Sequence, residues 1–386
     1  MLARPLLLLA AAVIAVAAAT QSFAAQSPVV ECRWQDPTDG TPLAVRVADA
    51  ALLAAAPGAI VDIILPPDSV AVLENGRELP GSFRAAAPAN PGPGFLSFTL
   101  ISEDAEIPIR LSLYAVHTAR TQASGRPAGT ILSVENEELG LYRRPEDSPT
   151  EKVKGNVASY VPPRLFLRIT PETEDLAVWP GVRLRDLVVP TENTGERHTS
   201  LVPVNYPMWR AIGTIRRALE EQGIPADAMK LLSVFRTPPY NRAVGSGVYG
   251  RHVYGDAFDF YVDTTGDGMM DNLTGSGKAG DRADALWLVG LVEELQGAGR
   301  LPPGGVGAYT FSGGARRASV HVDLRGHRAT WGFHTDAAGK RSEFVWRSRV
   351  FESEDMREEA ERREKARAEG KPFYAASRDA LPPLRK

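Results

Sequence analysis

The apolar positions of the chain change their period part-way along it. In the first part, Ala59 to Leu65, Ser69 to Leu73, Phe95 to Ser102 and Ile107 to Val116 are short β-branched or alternating runs, which predict strands. Asn75-Gly76 between two of these regions is a hairpin turn signal, since both residue types tolerate the positive φ of a tight turn. Glu146 to Pro163, with its prolines and mixed charges, reads as a linker. Beyond it the helical period enters. Met208, Ile212, Ile215 and Leu219 recur on one face of a helix that Gly223 and Pro225 stop. A second helix is predicted from about Arg282 to Gln296, burying Leu288, Leu291, Val292 and Leu295.

Two segments of the second part return to a period of two and carry polar residues on it. In Ala257 to Asp263 the side chains of Ala257, Asp259, Tyr261 and Asp263 share one face, while Phe258, Phe260 and Val262 share the other. In Ser319 to Leu324 the same alternation groups Ser319, His321 and Asp323 against Val320, Val322 and Leu324. Asp259 is thus expected to look away from the core and, if the two strands are neighbours, to meet His321. With His252 just upstream, two imidazoles and one carboxylate form a borderline-soft donor set that suits Zn²⁺. Three protein ligands leave the fourth tetrahedral position open, which distinguishes catalytic from structural zinc. Taken singly, His252 reads as a surface turn residue and His321 as a satisfied core histidine; it is the combined pattern that reads as a metal site.

These residues carry a resemblance. Gly250-Arg251-His252-Val253-Tyr254-Gly255-Asp256-Ala257-Phe258-Asp259 and the later His321-Val322-Asp323 resemble the signature of the D-alanyl-D-alanine metallopeptidases of the M15 type: His, six residues, Asp, then a distant His. Ser233-Val234-Phe235-Arg236-Thr237-Pro238-Pro239-Tyr240-Asn241 resembles that family's S-G-Y-R-S-P-x-x-N segment, and Gly305-Val306-Gly307-Ala308-Tyr309 its G-V-G-x-Y strand. The likeness runs from about Val178 to Trp331. It implies that His252, Asp259 and His321 hold zinc, that Arg236 contacts a substrate carboxylate or the oxyanion of the reaction, and that Tyr309 lines the pocket. It also implies hydrolysis of peptide bonds in peptidoglycan stem peptides, by a D,D-carboxypeptidase or a cross-link endopeptidase. The chain departs from the pattern at Gly250, where many relatives have Ser, and at Ala318, where some have a catalytic Glu. Asp323 is then either the general base or a carboxylate that orients a ligand imidazole. If no base reaches the site, a non-catalytic, metal-stabilised wall-binding or scaffold protein is the alternative.

The expected architecture is α+β: a mainly antiparallel, zinc-bearing sheet with flanking helices, which the resemblance makes hedgehog/DD-peptidase-like, preceded by a β-rich domain. The boundaries read as residues 1–25 for a signal peptide, 26–165 for the β-rich accessory domain, 166–348 for the peptidase-like domain and 349–386 for a charged helical tail. The signal peptide rests on Arg4, the Leu- and Ala-rich run to Ala19 and the small-residue site Ser22-Phe23-Ala24-Ala25; an uncleaved anchor is the rival, with a run short for a span of about 20 residues. Cleavage gives a periplasmic or secreted chain without a membrane span. The tail, Glu354 to Glu369, pairs Glu358 with Arg362, Glu359 with Arg363 and Glu361 with Lys365, a solvated helix.

Composition changes this picture little. The 386 residues suffice for two domains, and 44% hydrophobic residues for ordinary cores. A formal net charge of -3 without a basic cluster argues against nucleic acid as a partner. The single cysteine, Cys32, cannot form an internal disulfide. One further motif, Asp263 to Thr274, resembles a calcium loop, with Asp263, Thr265, Asp267 and Asp271 as oxygen ligands and Gly268 at the sharp turn. Thr274 stands where that loop has its bidentate carboxylate, and Asp-Gly clusters also make plain turns. Calcium-dependent adhesion is the corresponding third function.

Overall fold

The computed structural model describes residues 29–103, 105–125, 128–188, 198–312 and 318–344. The expected signal peptide and charged tail both lie outside the described residues. Within them the protein is α+β, with mostly antiparallel sheets and few helices. No described helix is long and apolar enough to cross a membrane.

The first part is built from strands, as its short alternating runs predict. A four-stranded sheet is ordered Pro42–Val47, Val30–Gln35, Ile60–Ile64, Phe83–Ala86, and a five-stranded sheet Ala50–Ala55, Glu106–Ala115, Phe95–Ile101, Val70–Leu73, Glu78–Pro80. At Asn75-Gly76 the chain reverses between Val70–Leu73 and Glu78–Pro80. The Gly76 N–H donates to the Leu73 carbonyl, and Gly76 takes φ 78°, where a side chain would be strained. A three-stranded meander, Arg120–Ser124, Gly129–Val134, Glu137–Arg143, follows.

The hydrophobic core is continuous from this part into the second. Val30, Leu52, Ile63 and Leu111 belong to the same buried cluster as Trp209, Phe258 and Val322. Polar contacts join the parts as well: the Tyr206 hydroxyl donates to the Ala54 carbonyl at 3.0 Å and accepts from the Ala54 N–H at 2.9 Å. The segment read as a linker is itself packed. It folds into a short helix, Glu151–Lys154, flanked by 3-10 turns, and buries Tyr160 against Tyr249 and Tyr254. Its prolines and charges signalled irregular backbone, which does not require solvent on every side.

The two predicted helices form where the periodicity puts them. Tyr206–Glu220 starts at Asn205, whose side chain accepts from the Met208 N–H, and buries Met208, Ile212, Ile215 and Leu219. Arg282–Gly297 starts at Asp281 in a capping box with Asp284 and buries Leu288, Leu291, Val292 and Leu295. The latter packs on a six-stranded sheet ordered Met229–Ser233, Ala257–Val262, Ser319–Asp323, Gly305–Phe311, Ala329–Thr335, Arg341–Glu343. Only Gly305–Phe311 and Ala329–Thr335 pair in parallel within it.

Candidate metal centre

Sheet register builds the centre. Asp259 lies opposite His321 in the antiparallel pair, with Ser233 beyond Asp259 and Gly307 beyond His321. Phe258, Phe260 and Val262 enter the hydrophobic core, as the alternation requires. Asp259 does not look out to solvent, however. Every residue of its strand is buried, because the 3-10 turn Arg251–Tyr254 and the cavity wall cover the polar face. Gly255 ends that turn in the left-handed region at φ 71°, and a side chain there would collide with Pro203.

His252, Asp259 and His321 each offer a buried donor atom, all within 4.8 Å of one another, a group that could hold a metal ion. The second nitrogen of each imidazole is already engaged. His252 Nδ1 donates to the Val234 carbonyl at 2.7 Å, which leaves Nε2 as the lone-pair nitrogen; it is buried and has no hydrogen-bond partner, 3.2 Å from Asp259 Oδ2. His321 Nε2 lies 3.1 Å from Asp323 Oδ2, and Nδ1 lies 2.8 Å from Asp259 Oδ1. Outer partners of this kind fix ring orientation and tautomer in metal-binding histidines. The donor set therefore fits a metal: His252 through Nε2, His321 through Nδ1, and Asp259 through a carboxylate oxygen.

The electrostatics agree. Burial, reinforced by the Arg236 charge, lowers His252 to about 4, so it is neutral near pH 7, as a ligand must be. Burial opposes charge on His321 too, but hydrogen bonds and attraction from Asp259 and Asp323 outweigh it and push His321 up to about 9. Asp259 and Asp323 are held well below the usual carboxylate range despite burial, Asp259 by His252, Arg236 and His321, Asp323 by His321 and Arg325. A metal would take the place of the proton between His321 and Asp259.

The remaining predicted residues fall into distinct positions. Arg236 lines the cavity, but its guanidinium is committed: Nε donates to Ser233 at 2.7 Å, Nη1 to Ser246 at 3.3 Å and Nη2 to Asp259 at 2.6 Å. It braces a candidate ligand. Asp323 is fully buried and accepts from the Gly305 N–H at 3.0 Å and from Arg325 Nε at 2.7 Å, besides its contacts with His321 and Arg325 Nη2. Of its two sequence readings, this environment matches the orienting one. Tyr309 lines the cavity, with its hydroxyl accepting from Trp331 Nε1 at 2.8 Å. Ala318 is buried beside Gly280 and is not among the cavity-lining residues, whereas Ser319 is.

Gly305 and Gly307 have steric reasons in this structure, and Asn241 a hydrogen-bonding one. A Cβ on Gly305 would sit 2.4 Å from Asp323 Oδ2, and one on Gly307 2.3 Å from Trp331 Nε1. Both positions must be bare for the ligand's neighbours to close in. Asn241 is fully buried and donates to the Gly247 carbonyl at 2.8 Å, holding the turn that leads into His252.

In the Asp263 loop the oxygens expected to bind calcium are engaged by the loop's own backbone and hydroxyl groups. Among the described residues the only group of three or more candidate metal donors is His252, Asp259 and His321. Asp263 instead accepts from the Gly266, Asp267 and Gly268 N–H groups, Asp267 from the Met269 N–H, and Asp271 from Thr264. Thr265 donates to Asp263, and Thr274 to Asp284. The loop's carboxylates thus cap their own turn, the competing use of Asp-Gly sequences, while Thr274 is tied to the first turn of the Arg282–Gly297 helix.

Three contributors escaped the sequence reading. Trp331 lies 5.2 Å ring to ring from His321, Arg325 pairs with Asp323, and Tyr160 of the connecting segment lines the cavity. Arg325 was findable, because two residues beyond Asp323 it continues the same alternation. Tyr160 and Trp331 arrive through packing that leaves no local signal.

The cavity has a volume of about 910 Å³, room for several peptide residues. No family model, no curated protein and no solved structure matches the chain.

Proposed function

We propose that the protein is a zinc-dependent peptidase acting on peptidoglycan stem peptides, with a hedgehog/DD-peptidase-like catalytic unit. The observation that carries this reading is the orphaned, buried Nε2 of His252 beside Asp259 and His321, with each histidine's other nitrogen anchored. Two imidazoles and a carboxylate favour zinc over calcium or magnesium. Bound there, zinc would supply Lewis acidity toward a carbonyl and bring water to a pKa of about 7.

The chain's own residues would do the rest. Arg236 holds Asp259, and Asp323, itself fixed by Arg325 and the Gly305 N–H, holds His321. Trp331 and Tyr309 wall the cavity beside His321 and set a dry side for the bound peptide. The substrate class comes from the motif resemblance, and the exported location from the amino-terminal pattern.

One observation favours a second reading, the metal-stabilised wall-binding protein. Among the described residues lining the cavity, the only carboxylate is Asp259, and Asp323 beneath is saturated. The deciding experiment is mass spectrometry of purified peptidoglycan fragments after incubation with zinc-loaded protein, chelator-treated protein and His252→Ala. Zinc-dependent release of D-alanine or opening of a cross-link, absent in His252→Ala, is expected. No cleavage by a folded, zinc-bearing sample would leave the binding reading standing.

A further inference from the structure

The cavity is rich in arginine. Arg236, Arg251, Arg325 and Arg341 line it, against the single lining carboxylate of Asp259 among the described residues. Three of these arginines are already neutralised: Arg236 by Asp259, Arg251 by Asp256 and Arg325 by Asp323. Each is at most 13% exposed along its side chain, so these pairs are part of the wall. Arg341 differs. It is exposed, sits on the edge strand Arg341–Glu343, and has no carboxylate partner among the described residues.

Aromatic rings hold it in place. Its guanidinium carbon lies 3.5 Å from the Phe333 ring centroid and 5.9 Å from that of Tyr309. Those two rings are stacked at 6.2 Å, and the Tyr309 hydroxyl is bonded to Trp331, which in turn lies against His321. Arg341 is therefore tied to the metal centre by a continuous aromatic shelf. A guanidinium held over a ring face loses little freedom on binding and keeps its N–H groups for a planar, bidentate acceptor.

We infer that Arg341 is the specificity residue of this cavity, reading a carboxylate on the bound peptide at the far end of the Tyr309–Phe333 shelf from the metal ligands. The inference rests on the peptidase reading of the same site and adds the substrate's charge. Arg236, the arginine of the recognised motif, is occupied by Asp259, Ser233 and Ser246, which leaves the free cation to do the reading. The carboxylate can be a chain terminus or an acidic side chain.

The test uses three probes: N-acetyl-D-alanyl-D-alanine, its C-terminal amide, and the C-terminal amide of N-acetyl-D-alanyl-D-glutamate. Binding is read by calorimetry on the chelator-treated full chain, which lacks the metal for turnover, and hydrolysis on the zinc-loaded chain. At least one acid probe is expected to bind about tenfold more tightly than the uncharged amide, as a charge-assisted hydrogen bond allows. Arg341→Gln is expected to erase that preference, and Arg341→Lys to retain part of it, with zinc content unchanged in both. Preference for the terminal acid identifies a carboxypeptidase-like substrate; preference for the glutamate amide identifies an internal acidic residue. Equal binding of all three by the wild type, no binding of any, or an unchanged preference in Arg341→Gln would overturn the inference. Arg341-dependent binding without hydrolysis would remove the peptidase reading alone, whereas hydrolysis with no dependence on Arg341 would remove this inference alone.

Discussion

Asp259 and His321 occupy the same register position on neighbouring antiparallel strands, with Asp259 Oδ1 2.8 Å from His321 Nδ1. Directly opposed residues in an antiparallel pair are the closest cross-strand neighbours that a sheet provides. Two candidate ligands are thus fixed by the backbone ladder itself, and His252 is brought to them by its bond to the Val234 carbonyl. Rigid elements hold a coordination geometry better than loops do.

Zinc should stabilise the fold through these three residues. A ligand present at a thousand times its dissociation constant adds about 4.1 kcal/mol. Melting of the wild-type chain is expected to rise with zinc and fall with chelator, and His252→Ala should show neither response. A wild-type melting temperature indifferent to zinc would remove the metal centre.

On the proposed peptidase reading, Asp323→Asn separates orientation of His321 from catalysis. Losing the outer partner of a ligand histidine typically lowers metal affinity about 10–100-fold. The same change leaves Arg325 buried without its partner and is expected to cost about 3–5 kcal/mol in denaturant unfolding. With zinc at saturation, hydrolysis should return toward wild type. Full zinc occupancy with hydrolysis abolished would instead make Asp323 the general base.

Gly307→Ala drives a methyl group into the Trp331 indole, since the new Cβ would sit 2.3 Å from Nε1. Overpacking of this kind costs about 1–3 kcal/mol. The Trp331 indole proton should shift in NMR spectra as its bond to Tyr309 is disturbed. Unchanged stability together with an unmoved indole signal would contradict the packing.

Ala318→Glu, which introduces the acid that some M15-type peptidases carry at the resembling position, is expected to create no base. Position 318 is buried beside Gly280, off the cavity. A carboxylate buried there must give up its water and is expected to destabilise the fold by several kcal/mol in denaturant unfolding. Faster hydrolysis in this variant would show that the side chain reaches the site.

His198 should make the protein sensitive to acid. Burial, then the Arg236 charge, lowers it from 6.5 to about 4, and its Nε2 accepts from the Thr237 N–H at 3.3 Å. Between pH 4 and 6.5 the unfolded chain binds the proton more readily, so this contribution is complete above 6.5 and lost as pH falls through about 4. Unfolding of the chelator-treated protein across this range should show a gentler slope in His198→Gln than in the wild type. A histidine that titrates at 6.5 by NMR would refute the assignment.

The local structure was legible in the order of residues. Helix period placed Tyr206–Glu220 and Arg282–Gly297, Asn75-Gly76 placed a hairpin, and alternation sorted Phe258 and Phe260 from Asp259. That order also selected His252, Asp259 and His321 as candidate partners, because ligand type and strand period are written residue by residue. What covers a strand is not. Asp259 is buried, the connecting segment delivers Tyr160 to the cavity, and the Asp263 loop spends its oxygens on its own backbone. These outcomes emerged on folding, as did the occupation of Arg236 by Asp259 and the absence of a carboxylate partner for Arg341 among the described residues. Burial and charge pairing join residues far apart in the chain, and their energies depend on neighbours that no local pattern names.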